Sequence, residues 1–146
     1  MTPDTNILVA AFRADHVHHR VAITWLNAAI TACSTGASIE VLPMVAAGFL
    51  RLVTNKKIFP DPAPIKMAIA FIDALLAISG VEMVQIGSEW PVLRRLCQEG
   101  KLHGNDIPDA WIAAAVKTTH GHLVTFDRDF SKLLHKGELT VLAVTK

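Results

Sequence analysis

Four aspartates are grouped in the segment Gly104–Phe130, within a stretch that is otherwise rich in apolar residues. Asp106 and Asp109 flank a turn that contains proline, and a proline just after a capping Asp indicates the start of a helix. Asp127 follows His122–Phe126, a short and mostly apolar run that is typical of a buried parallel strand. Ligands of open parallel sheets bind beyond the carboxyl ends of the strands. Asp109 and Asp127 are therefore predicted to face one crevice.

A further aspartate, Asp4, comes from the beginning of the chain, where it ends a very short predicted strand. The apolar residues Ile7–Phe12 then predict a helix, so Asp4 lies at a junction like those of Asp109 and Asp127. Three carboxylates that are brought together repel one another, and a divalent cation relieves that repulsion. Carboxylate oxygens without His or Cys at ligand spacing favour Mg²⁺, with Mn²⁺ as an alternative.

The rest of the chain alternates between apolar runs and amphipathic segments that could position these acids. Because short apolar strands alternate with helical patterns, the sequence predicts an α/β fold. Predicted helices cover residues 16–31, 43–53 and 65–78, a segment beginning after Ser88, and a segment from Asp106 to about Thr118, and predicted strands cover residues 37–42, 81–86, 122–126 and 139–144.

Composition limits the class of protein but does not identify a function. The chain has 146 residues, of which 51% are hydrophobic, and a mean hydropathy of +0.38. These values predict one domain over residues 1–146, with a core that needs no disulfide. The formal net charge of +1 excludes a strongly basic nucleic-acid binder. Cys33 and Cys97 are isolated, and charges interrupt every apolar stretch well short of the ~18 residues of a membrane span, so we expect a cytoplasmic protein without a membrane segment.

Four motifs occur in order along nearly the whole chain: PDTN, FLRLVTNKKIF, GNDIPDAWIAAA and TFDRDF. Their order and spacing resemble the PIN-domain ribonucleases, and in particular the VapC-type toxins of bacterial toxin–antitoxin pairs. The resemblance implies a single PIN-like α/β/α sandwich with a central, mostly parallel sheet. It also implies an RNA substrate, cleavage with Mg²⁺ or Mn²⁺, a homodimer, and a cognate antitoxin protein. Transferred residue by residue, it assigns the family's metal-binding and catalytic acids to Asp4, Asp109 and Asp127.

The chain departs from the family pattern at Gly48, which stands where the family usually has a Glu on its second-motif helix. Glycine has no side chain that could bind a metal. Glu40 lies eight residues earlier and is an uncertain substitute. Asp106 lies near Asp109, and we interpret it as the catalytic acid that compensates for the missing Glu.

Two other functions are compatible with parts of the sequence. A non-catalytic PIN-like module that binds RNA or protein is the stronger alternative, because Gly48 removes a usual ligand. A haloacid-dehalogenase-like phosphatase would need a second Asp two residues after Asp4, and Asn6 occupies that position. Neither a nucleophile–histidine pattern nor a phosphate-binding glycine loop is evident.

Other polar residues have two interpretations each. His16, His18 and His19 could belong to a zinc site, but no acid or thiol partner is positioned with them as a ligand, and a solvated helix start is favoured. Arg51 lies in an apolar helical segment. Its guanidinium either points toward the acidic crevice or an RNA phosphate, or reaches solvent past the core.

Overall fold

The computed structural model describes residues 1–144 and contains, in that range, six α-helices and five short strands. The strands are β1 (Thr2–Pro3), β2 (Ile39–Val41), β3 (Val81–Met83), β4 (Leu123–Thr125) and β5 (Leu139–Val141). The helices are α1 (Thr5–Phe12), α2 (His19–Cys33), α3 (Pro43–Val53), α4 (Ile65–Leu76), α5 (Trp90–Gly100) and α6 (Asp106–Thr118). Two 3-10 helices, Arg128–Lys132 and Lys136–Glu138, connect β4 to β5.

Every strand pair within residues 1–144 is parallel, and the pairs form two groups, β1-β4-β5 and β2-β3. A backbone hydrogen bond from β2 to the residue before β1 sets the strands side by side in the order β3-β2-β1-β4-β5. The backbone N–H of Glu40 donates to the Met1 carbonyl at 3.0 Å and joins the β2-β3 pair to the β1-β4-β5 group. Right-handed crossovers between parallel strands place α1 to α4 on one face of the sheet and α5 and α6 on the other. The predicted α/β class and the mostly parallel sheet are confirmed.

The strand order changes direction between β1 and β4. The chain moves outward from β1 to β2 and β3, returns through α5 and α6, and enters β4 on the other side of β1. A crevice forms at such a point because the connections leave the two neighbouring strands toward opposite faces of the sheet. The carboxyl ends of β1 and β4 are thus the expected place for a ligand.

The core consists of the sheet and the apolar faces packed on it. Residues 7–11 of α1 are all buried, as is the whole of β4, since a central strand is covered on both faces. In α6 the run Ala113–Ala115 is buried, and its small side chains allow close packing. The rings of Phe12, Phe49 and Phe71 pack against one another with centroids 5.2–5.3 Å apart.

Several element boundaries differ from the sequence-based predictions. Helix α2 begins at His19 rather than His16, because the His16 ring accepts a hydrogen bond from the His18 backbone N–H and this local contact replaces the first helical turn. Strands β3 and β5 each end three residues earlier than predicted. Residues 145–146 lie outside the described part of the chain, so a single domain over 1–146 stays a prediction. None of the helices within residues 1–144 combines the length and apolar composition that crossing a membrane requires.

Candidate active site

Asp4 lies where β1 ends and α1 begins, and its side chain is only 5% exposed. Its backbone N–H donates to the Val124 carbonyl at 2.9 Å, which holds it beside β4. Its Oδ1 accepts from the Thr5 backbone N–H at 2.7 Å, so Asp4 caps α1. Asp4, rather than Thr5 or Asn6, is thus the N-cap residue of this helix.

The Thr125 hydroxyl is the centre of a hydrogen-bond network around Asp4. It donates to Asp4 Oδ2 at 2.6 Å and accepts from the Asp127 backbone N–H at 3.0 Å. It also accepts from Asn6 Nδ2 at 3.2 Å, and Asn6 Oδ1 accepts from the Phe126 backbone N–H at 3.3 Å. The network joins the end of β1, the start of α1 and the end of β4. Sequence reasoning did not identify Thr125 as a site residue, although its place two residues before Asp127 was a usable signal.

Asp109 and Asp127 approach the same place from α6 and β4. Asp109 lies in the first turn of α6 and is half-buried. Asp127 follows β4, and its Oδ1 accepts from the Asp129 backbone N–H at 2.8 Å. Asp4, Asp109 and Asp127 line one cavity of about 860 Å³. The structure thus brings together the three acids that the sequence selected as metal ligands.

Burial and neighbouring carboxylates raise the pKa values of two acids of the site, Asp4 and Asp109. Burial raises the pKa of Asp4 to about 6, with Asp109 and Asp127 adding to the shift and the hydrogen bonds from Thr125 and Thr5 opposing it. Burial also raises the pKa of Asp109, and the charges of Asp127, Asp129 and Asp106 add to it. A bound cation would favour the ionised form of both carboxyl groups.

The donor set fits a hard divalent cation. Its side chains offer carboxylate oxygens, and Mg²⁺ characteristically uses one or two carboxylates while water completes its coordination shell. Within residues 1–144, no group of three or more His, Cys, Asp or Glu side chains lies close enough together to hold a metal ion, so Asp4, Asp109 and Asp127 share a cavity without forming a ready-made three-ligand site. A hard cation here would be held by one or two of these carboxylates and would supply Lewis-acid chemistry to a phosphate group.

Asp106 and Glu40 lie apart from the three clustered acids and do not line the cavity. The Asp106 side chain is 52% exposed, and its Oδ2 accepts from the His103 backbone N–H at 3.2 Å. Asp106 is the first residue of α6, and Asn105 holds the N-cap position, so the expected capping role of Asp106 is wrong. The Glu40 carboxylate accepts from Ser38 Oγ at 2.7 Å and from the Met1 amino group at 2.8 Å. These bonds hold Glu40 away from the position left by the missing Glu.

Gly48 and Arg51 of α3 line the cavity. A Cβ atom at position 48 would lie 3.2 Å from Thr5 Oγ1 and 3.3 Å from Thr5 Cγ2, so the Thr5 side chain fills the space beside the glycine. Arg51 is exposed, lies one turn later on the same helix and lines the same cavity. This position agrees with both interpretations of Arg51, because the residue lines the cavity and is also exposed to solvent.

The predicted histidine cluster has no geometry that favours zinc. His19 Nδ1 lies 2.8 Å from the Ala10 carbonyl, and the rings of His16 and His18 are tilted with centroids 5.7 Å apart. His18 packs against Phe126. All three histidines are partly buried, and His16 and His18 precede α2, so the expectation of a solvated helix start is wrong.

Comparisons with known proteins agree with this geometry. Residues 1–135 match the PIN domain family. The chain is 38% identical over 130 residues to Ribonuclease VapC31 of Mycobacterium tuberculosis, covering 88% of this chain and 89% of that protein. Ribonuclease VapC25 of the same species shows the same identity and coverage of this chain. A chain in the crystal structure of VapBC2 from Rickettsia felis bound to a promoter DNA fragment matches with a TM-score of 0.63 and 19% identity, over 96% of both chains, and shows the same fold. By its sequence, its fold and the arrangement of its acids, this chain belongs to the PIN-domain family.

Proposed function

We propose that this protein is a divalent-metal-dependent ribonuclease and the toxin of a toxin–antitoxin pair. The observation that carries the proposal is the convergence of Asp4, Asp109 and Asp127 on one cavity at the carboxyl ends of β1 and β4. Relatives that cover most of the chain are named as VapC ribonucleases, which supports RNA as the substrate.

Asp4, Asp109 and Asp127 would hold the metal, for which Mg²⁺ is our first assignment and Mn²⁺ the alternative. When bound, such a cation supplies a Lewis acid that lowers the pKa of a water and neutralises charge on the scissile phosphate. Asp4 is suited to this role because the Thr125 and Thr5 hydrogen bonds fix both of its oxygens. Asp127 is fixed in a similar way through its backbone N–H and its capping bond.

Two further residues act around this cluster. Arg51, exposed on the α3 side of the cavity, is positioned to contact a phosphate oxygen of the RNA. Asp106 adds negative charge near Asp109 from the first turn of α6. We retain Asp106 as a proposed contributor to catalysis that acts through this charge.

The proposed partners are a cognate antitoxin and a second copy of the chain in a homodimer, in the cytoplasm. The Rickettsia felis structure is one of VapBC2 bound to promoter DNA, and a protein that binds the toxin is the partner we expect here. Exposed apolar side chains on α4, namely Ile65, Met67 and Ile69, provide surface that such contacts could bury. The free thiols of Cys33 and Cys97 fit a reducing compartment.

A cleavage assay separates this function from that of a non-catalytic binding module. The protein, freed of any partner, is incubated with single-stranded RNA and Mg²⁺, and the products are separated by size, with Asp4→Asn as the matched variant. Cleavage by the wild type and its loss in the variant are expected. RNA that is bound but never cleaved, in Mg²⁺ and in Mn²⁺, would favour the binding module.

A further inference from the structure

Trp111 lines the cavity but has no role in the proposed metal binding or cleavage. It lies on α6 two residues after Asp109, and within residues 1–144 it is the one aromatic residue that lines the cavity. Trp111 is 37% exposed. Apolar side chains line the cavity with it, among them Leu93 and Ile107. The acidic part of the cavity therefore adjoins an apolar part that contains an indole.

The indole is fixed by a buried acid. Trp111 Nε1 donates to Glu89 Oε1 at 3.1 Å, and Glu89 Oε2 accepts from the Gly87 backbone N–H at 2.7 Å. Glu89 is 7% exposed and is the N-cap residue of α5, so the bond connects α6 to the start of α5. Because the only polar atom of the indole is already bonded, its exposed surface is carbon alone. Such a surface recognises flat or apolar groups and offers a ligand no hydrogen bond.

RNA supplies a flat group, the nucleobase, next to each of its phosphates. When a phosphate lies at the acidic cluster, the nucleotides on either side must leave the cavity along its walls. Every nucleobase has an aromatic face, and base stacking on a protein aromatic ring tolerates any sequence. A base that is paired in a duplex has both faces covered by its neighbours, whereas an unpaired base can stack on protein.

Building on the proposed ribonuclease function, we propose that Trp111 is a stacking platform for an unpaired nucleobase next to the scissile phosphate. Glu89 is the positioning residue that holds the ring in place. Together they select single-stranded RNA without selecting a base. They also provide binding energy on the side of the cavity that lies away from the acids.

Three variants separate stacking from structural effects. Trp111→Ala removes the ring. Trp111→Phe keeps an aromatic face but cannot donate to Glu89. Trp90→Ala is the matched control, because Trp90 is 63% exposed on the neighbouring helix but does not line the cavity. Thermal unfolding of each variant shows whether it is folded.

The expected result is a loss of kcat/KM for single-stranded RNA of at least about fivefold in Trp111→Ala and a smaller loss in Trp111→Phe, which keeps the ring but not the Glu89 bond that positions it. Little change is expected in Trp90→Ala. The decisive substrate carries abasic riboses at the nucleotides flanking the cleavage site. Wild type should lose a similar factor on this RNA, while Trp111→Ala should lose nothing further, because the interacting pair is already broken. An equal penalty for the abasic substrate in both proteins would overturn the proposal. A loss in Trp111→Phe equal to that in Trp111→Ala would assign the effect to the Glu89 bond instead, and would overturn it as well.

Binding in EDTA keeps this inference distinct from the proposed cleavage. Anisotropy of labelled single-stranded RNA is compared with that of the same sugar–phosphate backbone without bases. If wild type binds RNA but never cleaves it, the proposed function fails, yet a preference for RNA with bases that depends on Trp111 still supports the platform. Binding of both polymers with equal affinity would overturn the platform. So would RNA binding that is unchanged in Trp111→Ala while binding of a protein partner is lost.

Discussion

Thr5 Oγ1 lies 3.2 Å from where the Cβ atom of any residue replacing Gly48 would be placed, and Thr5 Cγ2 lies 3.3 Å from it. The two residues face each other across the junction of α1 and α3, beside Asp4. The loss of an acid from position 48 is thus coupled to the side chain at position 5. Restoring the acid requires Thr5 to move by a few tenths of an ångström.

Reintroducing the acid should therefore work better when Thr5 is made smaller. Gly48→Glu alone gains roughly 0.5 kcal/mol of helix propensity, but the contact with Thr5 opposes that gain. In a Thr5→Ala background the contact is gone, and we expect Gly48→Glu to raise Mn²⁺ affinity more than it does alone. Isothermal titration with Mn²⁺ measures the difference, and Gly48→Ala shows the effect of the Cβ without the carboxylate. Equal affinities for the single and double variants would show that the two positions are not coupled.

Removing the Thr125 hydroxyl should weaken both the fold and the site. Thr125→Val keeps the shape of the side chain but leaves Asp4 Oδ2 and the Asp127 N–H without their partner. Leaving buried polar groups of this kind unpaired lowers the free energy of unfolding by about 1–3 kcal/mol. Removing a group that orients a metal ligand lowers metal affinity or activity by about 10–100-fold. Chemical denaturation and a cleavage assay measure the two effects. Thr125→Ser retains the hydroxyl and should behave nearly as wild type. Full activity in Thr125→Val would mean that the network does not orient Asp4.

The free energy of unfolding of the metal-free protein should depend on pH because of the raised pKa of Asp4. Its pKa is about 6 in the fold against 3.8 as the ordinary value, so between these values the folded state binds more protons than the unfolded state. The free energy of unfolding contributed by Asp4 therefore falls as the pH rises from about 4 to about 6, by roughly 3 kcal/mol in total. Denaturation of wild type and of Asp4→Asn in EDTA across this range gives the difference. A difference that does not change with pH would mean that Asp4 ionises normally.

Asp106→Asn tests whether this residue acts through charge or as a ligand. Its carboxylate is exposed, bonds the His103 backbone N–H and lies outside the cavity lining, so its effect on Asp109 should be long-range. Loss of such an exposed charge should change metal affinity by no more than about fivefold, whereas Asp109→Asn should cost far more. Cleavage rates at several Mn²⁺ concentrations compare the two variants. Equal losses would show that Asp106 turns toward the metal when it binds.

The sequence was sufficient to predict that Asp4, Asp109 and Asp127 lie at one site, but not to predict the contacts that orient them. Asp4, Asp109 and Asp127 could be identified because each follows a strand or begins a helix, and these junctions are readable from local apolar patterns. The helix predicted from Asp106 to about Thr118 is α6, although its N-cap is Asn105 rather than Asp106. The bond from Thr125 to Asp4 joins residues 121 positions apart, and its formation depends on the pairing of β1 with β4.

Contacts between helices could not be predicted from the sequence either. The Trp111–Glu89 bond depends on how α5 packs against α6, and the contact between Thr5 and Gly48 depends on the crossing of α1 and α3. No local pattern encodes these distances. The start of α2 was misplaced because residues 16–19 suit a helical pattern in the sequence, whereas in the structure the His16 ring accepts a hydrogen bond from the His18 backbone N–H.

The dependence of RNA cleavage on Mn²⁺ concentration tests most directly whether Asp4, Asp109 and Asp127 hold a catalytic metal. We expect no cleavage in EDTA, a saturable rise with Mn²⁺, and, for a folded Asp109→Asn variant, at least about tenfold more Mn²⁺ to reach half of its maximal rate. Undiminished cleavage in EDTA, or the same Mn²⁺ dependence in Asp109→Asn as in wild type, would contradict the assignment.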